Sequence, residues 1–124
     1  MLAKLRRGTW QTPGDGSGIV SRIHVRDLAA LALAALAPTH RGATFVVGDH
    51  APAPIGEVAD WICTRLGLPP PPSIPLDQSP ESLRRGRAVD AREALARLGV
   101  TLRYATYREG LAEALDGEVA EREH

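Results

Sequence analysis

The chain has 124 residues, is 44% hydrophobic and 24% charged, and balances fifteen basic against fifteen acidic side chains. That is the length and composition of one soluble globular domain, and zero net charge supplies no overall field that would draw in nucleic acid or an anionic membrane. Cys63 is the single cysteine, which excludes an intrachain disulfide and a cysteine-rich metal site and fits a reducing, cytoplasmic setting.

Leu2 and Leu5 share a helical face in residues 1–7, and Gly8 is a natural stop, so the chain is expected to open on a short helix. No long apolar stretch follows its basic residues, and no apolar run has membrane-spanning length. Residues 9–12 and 19–24 flank a Pro- and Gly-rich turn over residues 13–18, an arrangement that predicts a β-hairpin. Branched residues then carry a strand over residues 19–25, and Asp27 is the expected N-cap of the helix that follows. Residues 28–36 are all Leu or Ala up to the stop at Pro38, so this helix should be buried on most sides. The apolar run Thr44-Phe-Val-Val47 reads as a strand covered on both faces, as in a parallel α/β sheet.

Ile55, Val58, Ala59, Ile62, Cys63 and Leu66 follow helical spacing between Pro54 and Gly67, the strongest helix signal in the chain. Four prolines, Pro69 to Pro72, make a stiff spacer before a short extended stretch at Ile74 and Leu76. Ser79-Pro80-Glu81 starts a short helix through Leu83, and Arg84-Arg85-Gly86-Arg87 makes a basic bend. Asp90 with Glu93, and Thr106 with Glu109, resemble capping boxes for helices through Leu95 and Leu98 and through Leu111 and Leu115. The first closes at Gly99, with an extended stretch from Val100 to Tyr104 between them. Residues 1–117 therefore read as a single domain, followed by a charged, frayed tail over residues 118–124.

Several groups could carry chemistry. Gly14, Gly16 and Gly18 resemble a dinucleotide loop in spacing, but a strand follows where a helix N-terminus should meet the pyrophosphate, so they read as a turn. Strand alternation puts Arg22 and His24 on one face, and His24 lies near Asp27; acid–base work is one reading, a histidine tied to the helix cap the simpler one. His40 and His50 are too scattered for a metal site, and Cys63 falls on the apolar face of its helix as a core residue. The Arg84, Arg85 and Arg87 cluster could hold an anion or be a solvated bend, and Tyr104 and Tyr107 could line a pocket or pack on the last helix. Arginines without interleaved aromatics give little support to nucleic-acid binding.

Taken in order, Gly14-Asp-Gly-Ser-Gly-Ile-Val-Ser-Arg-Ile-His-Val-Arg-Asp-Leu-Ala29, Thr44-Phe-Val-Val-Gly48, the helix over 55–67, Leu68-Pro-Pro-Pro-Pro72 and Leu102-Arg-Tyr-Ala-Thr-Tyr-Arg-Glu-Gly110 resemble the C-terminal, substrate-side part of extended and atypical short-chain dehydrogenases/reductases, the NAD(P)-dependent epimerase/dehydratase group. The resemblance covers roughly residues 5–115. It implies an α/β fold of helices packed on a few short strands, and NAD or NADP as the cofactor of a complete enzyme. The family's glycine-loop Rossmann half and its Tyr-x-x-x-Lys are not found: Tyr104 and Tyr107 are followed four residues on by Arg108 and Leu111, and Lys4 is the only lysine. No catalytic residue carries over, and the chain by itself is expected to bind no cofactor and no metal.

Departures from the family pattern narrow the substrate. Val20 stands where nucleotide-sugar epimerases have a diphosphate-gripping arginine, Arg22 where they often have tyrosine, and Ala105 where one branch has proline. Arg22, His24, Arg85, Arg87 and Tyr104 are the candidate substrate-binding residues. Two functional readings follow: a substrate-side piece that needs a Rossmann half for hydride and proton transfer, or a stand-alone interaction module. In either, the exposed edge of the 44–47 strand is where self-association or pairing with a Rossmann half is expected.

Overall fold

A computed structural model describes residues 1–84 and 86–122, the side chains of 118–122 excepted. Its contacts gather into two compact units, one of residues 1–20 and 53–88, the other of residues 21–52 and 89–124. Both combine helices with short strands or extended segments, the mixed α/β class expected.

In the first unit, α1 (Leu2–Arg7) ends at Gly8, whose φ of 71° is the left-handed conformation that closes a helix without a Cβ penalty. The unit is arranged around α3 (Ile55–Leu66), whose Ile55, Val58, Ala59, Ile62 and Cys63 are buried at the predicted spacing. The Cys63 thiol is pushed up by burial first and by Asp60 second, so it is a core residue rather than a nucleophile. Strand β1 (Thr12–Pro13) pairs in parallel with β4 (Ser73–Ile74), and β2 (Ile19–Val20) pairs antiparallel with β3 (Ala53–Pro54).

The predicted hairpin is therefore not formed, although its turn is. The Gly16 amide donates to the Pro13 carbonyl at 3.0 Å, but the amides of Thr12 and Gly14 on either side donate to Pro72 and Ile74 at 2.8 Å. Pro13 has no N–H to give a hairpin partner, and the two arms instead complete ladders with segments far along the chain. Beyond β4, the Ser79 hydroxyl donates to the Leu76 carbonyl and leads into α4 (Glu81–Arg84). Arg84 turns back to donate to the carbonyls of Ser79 and Asp77 at 3.0 and 2.8 Å, which uses its guanidinium to hold the bend.

In the second unit, Leu31, Ala91, Leu95 and Leu102 form a buried cluster, with Ile23, Val47, Leu98 and Val100 packed against it. Helix α2 (Val25–Ala35) packs here on α5 (Arg92–Leu98), which Gly99 closes at φ 66°. Helix α6 (Tyr107–Arg122) starts as predicted: the Thr106 hydroxyl accepts from the Glu109 amide, and the Glu109 carboxylate accepts from Ala105. Its backbone continues through Arg122, past the expected onset of the tail; residues 123–124 lie outside the described residues.

Three expectations for residues 19–47 are overturned. The strand over 19–25 pairs only at Ile19–Val20, and the helix begins at Val25 with His24, not Asp27, as its N-cap. Helix α2 is not buried on most sides: Asp27 and Leu31 are inside, while Val25, Leu28, Leu33 and Leu36 are exposed. Residues 44–47 form no strand among the described residues, and Val46 is exposed. A strand needs a paired neighbour, and the main-chain bonds from the Asp49 amide to the Arg22 carbonyl at 2.6 Å and from the His50 amide to the Ala105 carbonyl at 2.9 Å lie just beyond this run.

Candidate functional site

At the start of α2 the chain places His24 in extended geometry, φ −67° and ψ 141°, so that its ring folds back on the first turn. His24 Nδ1 accepts from the Arg26 amide at 3.0 Å. The ring proton is thereby fixed on Nε2, which donates to Glu113 Oε2 at 2.7 Å. The other oxygen of Glu113 lies 3.6 Å from the Arg26 guanidinium, which also donates to the Tyr104 hydroxyl at 3.3 Å. Tyr104 stacks on the His24 ring, centroids 3.9 Å apart and planes at 24°. Gly110 on α6 faces the ring at ordinary contact distance: a Cβ there would stand 3.5 Å from the imidazole.

Asp27 supports the same arrangement from below. It is 3% exposed, and its two carboxylate oxygens accept from the amides of Arg103 and Tyr104 at 2.8 and 2.9 Å. A residue that resembles a cap in sequence thus ties α2 to the segment that carries Tyr104.

Beside His24 lies an open cavity of about 240 Å³, floored mainly by Ile23, Val25, Leu111 and Ala114, with Arg22, Asp49 and Tyr107 on its wall. Burial pushes the Arg22 guanidinium down, and the nearby Asp49 charge partly offsets this; it remains a cation, as guanidinium groups do. Asp49 is buried, which pushes its carboxyl up against the opposing effects of the Ala51 amide, His50 and Arg22. The site thus joins an apolar floor to one cation and one reluctant carboxylate.

The Asp49 shift has a definite sign. A carboxyl whose folded pKa is raised favours folding most below the unfolded value, and this contribution is lost as pH rises through the folded pKa. Asp49→Asn keeps an oxygen for the Ala51 amide, which bonds Oδ1 at 2.9 Å. Between pH 4 and pH 7 its stability, from urea midpoints, is expected to rise relative to the parent chain. A fall would mean that attraction to Arg22 outweighs burial.

Of the sequence candidates, Arg22 and His24 line one cavity and Tyr104 stacks on the second of them, although the strand alternation invoked for the first two does not exist. Arg87 belongs to the other unit, where its amide donates to Ile19 at 2.9 Å. Arg85 lies outside the described residues. Sequence reasoning missed Glu113 and Asp49. Glu113 is 89 residues from His24, and no local spacing links a pair that distant.

The glycine turn does not fit a dinucleotide. The amides of Gly14 and Gly16 are already bonded to Ile74 and Pro13, and the Ser17 amide to the Asp15 carboxylate. The backbone of Gly56 fills the space over Gly16, where a Cβ would meet its Cα at 2.8 Å. A pyrophosphate would find its donors spent and an acid beside it. Among the described residues there is also no metal-type cluster of His, Cys, Asp or Glu, and no helix is long and apolar enough to cross a membrane.

Helices on a few short strands, with a cavity of ligand size beside His24, place the chain in the mixed α/β class. No family model matches the chain. It is 31% identical over 114 residues to a 3-diazoavenalumate denitrifying reductase of a Streptomyces species, an alignment covering 84% of this chain and 36% of that protein. A conserved protein of unknown function from Silicibacter pomeroyi superposes with a TM-score of 0.78 at 32% identity, over 94% of this chain and 43% of that one. The human epimerase family protein SDR39U1 (isoform 2), solved with NADPH, superposes with a TM-score of 0.75 at 25% identity, over 91% and 41%. The chain is thus similar in fold to NAD(P)-dependent epimerase and short-chain dehydrogenase/reductase proteins, over a stretch consistent with the C-terminal part of an extended member. It spans about four tenths of the length of those relatives.

Proposed function

We propose that this chain is the substrate-side part of an NAD(P)-dependent reductase- or epimerase-type protein, and that hydride and proton transfer depend on a nucleotide-binding half. The observation that carries this reading is the cavity: Arg22 beside an apolar floor, with His24 held by Tyr104 and Glu113 at its edge. It suits a small molecule with an apolar body and an anionic group seated on Arg22. His24 positions rather than transfers protons, since both ring nitrogens are engaged by Arg26 and Glu113. The reductase name of the Streptomyces relative and the NADPH of the human one support reduction as the chemistry of the complete assembly.

Two measurements test this. Calorimetry of the chain with NADH and NADPH should show no binding; micromolar affinity would overturn the reading. Titration with benzoate and cinnamate, followed by NMR, should move the signals of Ile23, His24 and Leu111, and Arg22→Gln should weaken that binding about tenfold, the effect of roughly 1.4 kcal/mol. Probes that leave the cavity signals unmoved would remove the substrate site from the proposal. The alternative, a stand-alone interaction module, is favoured by one observation, the exposed apolar side of α2.

A further inference from the structure

Trp10 is 7% exposed, and its indole Nε1 is buried with no hydrogen-bond acceptor among the described residues. A buried donor in that state costs stability, and folded chains keep few of them. The indole forms part of the wall of a cavity of about 350 Å³ built wholly within the first unit, with α1 and the Gly8 turn on one side and Leu68 and the prolines 69–72 on the other. That volume is of ligand size, and the cavity shares no residue with the one beside His24.

The lining selects a charge. Four prolines bring ring surface and no N–H. The main-chain amides of Gly8, Trp10 and Leu68 are spent on the carbonyls of Leu5, Lys4 and Cys63, at 3.2, 3.2 and 2.8 Å. The side-chain donors on the wall are the indole N–H and the guanidinium groups of Arg6 and Arg7, and no Asp or Glu lines the cavity. Donors and positive charge thus stand beside apolar rings, a combination that favours a hydrogen-bond acceptor carrying negative charge.

We propose that this cavity is a second ligand site, for a small carboxylate with a flat apolar body. The carboxylate accepts from Trp10 Nε1 with Arg6 and Arg7 supplying the field, and the body lies among Leu5, Leu68 and the proline rings. A flat body suits walls made of an indole and pyrrolidine rings. A polyproline segment holds its shape without a ligand, so binding spends little on ordering it. The site is independent of the proposed function, since its residues all differ from those around Arg22.

The test uses the full chain carrying Trp61→Phe, which leaves one indole N–H signal, that of Trp10. Titration with 1-naphthylacetate is expected to move this proton downfield and to saturate, while 1-naphthylmethylamine, the same ring system with a cation in place of the carboxylate, leaves it unmoved. Arg6→Gln/Arg7→Gln should weaken the binding at least tenfold, and Arg22→Gln should leave it within about twofold. Trp10→Phe, followed on the Leu5 and Leu68 methyl signals, should also weaken it at least tenfold; if that chain does not fold, the indole signal of the parent still decides. Three results would overturn the proposal: an indole proton unmoved by naphthylacetate up to about 10 mM, an equal response to the amine, or a response that Arg22→Gln abolishes, which would assign the ligand to the other cavity.

Discussion

Asp27→Ala is expected to cost the chain about 4 kcal/mol, because each hydrogen bond to a charged group contributes roughly 1.5–3 kcal/mol and two are lost together. Both carboxylate oxygens are used, one on the Arg103 amide and one on the Tyr104 amide, from a side chain only 3% exposed. Alanine leaves two amide donors facing a void. Asp27→Asn should fall between, at about 2 kcal/mol, since its oxygen satisfies one amide while its NH2 opposes the other. Urea denaturation checks this through a lower midpoint at an unchanged slope. A loss below about 1 kcal/mol in the alanine variant would show that water replaces the carboxylate. The variant should also loosen the cavity edge, because Tyr104 is the ring that stacks on His24; weaker nuclear Overhauser contacts between the two rings report it.

Gly16→Ala is expected to cost about 3 kcal/mol, the sum of left-handed backbone strain and a backbone collision. Gly16 has φ +78°, and its Cβ would stand 2.8 Å from Gly56 Cα and 3.2 Å from Gly56 N, in the first turn of α3. Neither atom can rotate away as a side chain would. Gly14→Ala is the control: φ is +57°, but its nearest contact is Leu76 Cβ at an ordinary 3.6 Å, so it should cost only about 1 kcal/mol. Thermal melts of the two variants separate strain from collision. Equal losses would mean that the Gly16–Gly56 approach is not tight in solution.

These variants probe the positions where sequence and structure part company. Gly14 and Gly16 were legible as a turn, since spacing and the strand that follows argued against a phosphate loop, but the partner that makes Gly16 indispensable is forty residues away in α3. Asp27 was legible as a helix-start residue, and its carboxylate goes instead to amides of residues 103 and 104. Arg22 and His24 were chosen from a strand that does not form and line one cavity for another reason: the chain runs extended into the His24 cap, beside Asp49 and below α6. Glu113 was out of reach of any local pattern.

Local order was settled by the sequence alone where one physical effect dominates. Gly8, Gly67 and Gly99 end helices because only glycine adopts the left-handed cap without strain, and α3 buries the face that its periodicity marks out. Tertiary structure decided what depends on a second segment: which strands pair, which charges are buried, and which side of α2 is covered. An all-apolar helix records a demand for burial, not what meets it, because hydrophobic burial has no direction of its own. For α2 the chain meets that demand on the side of Asp27 and Leu31 and leaves the stripe from Val25 to Leu36 exposed.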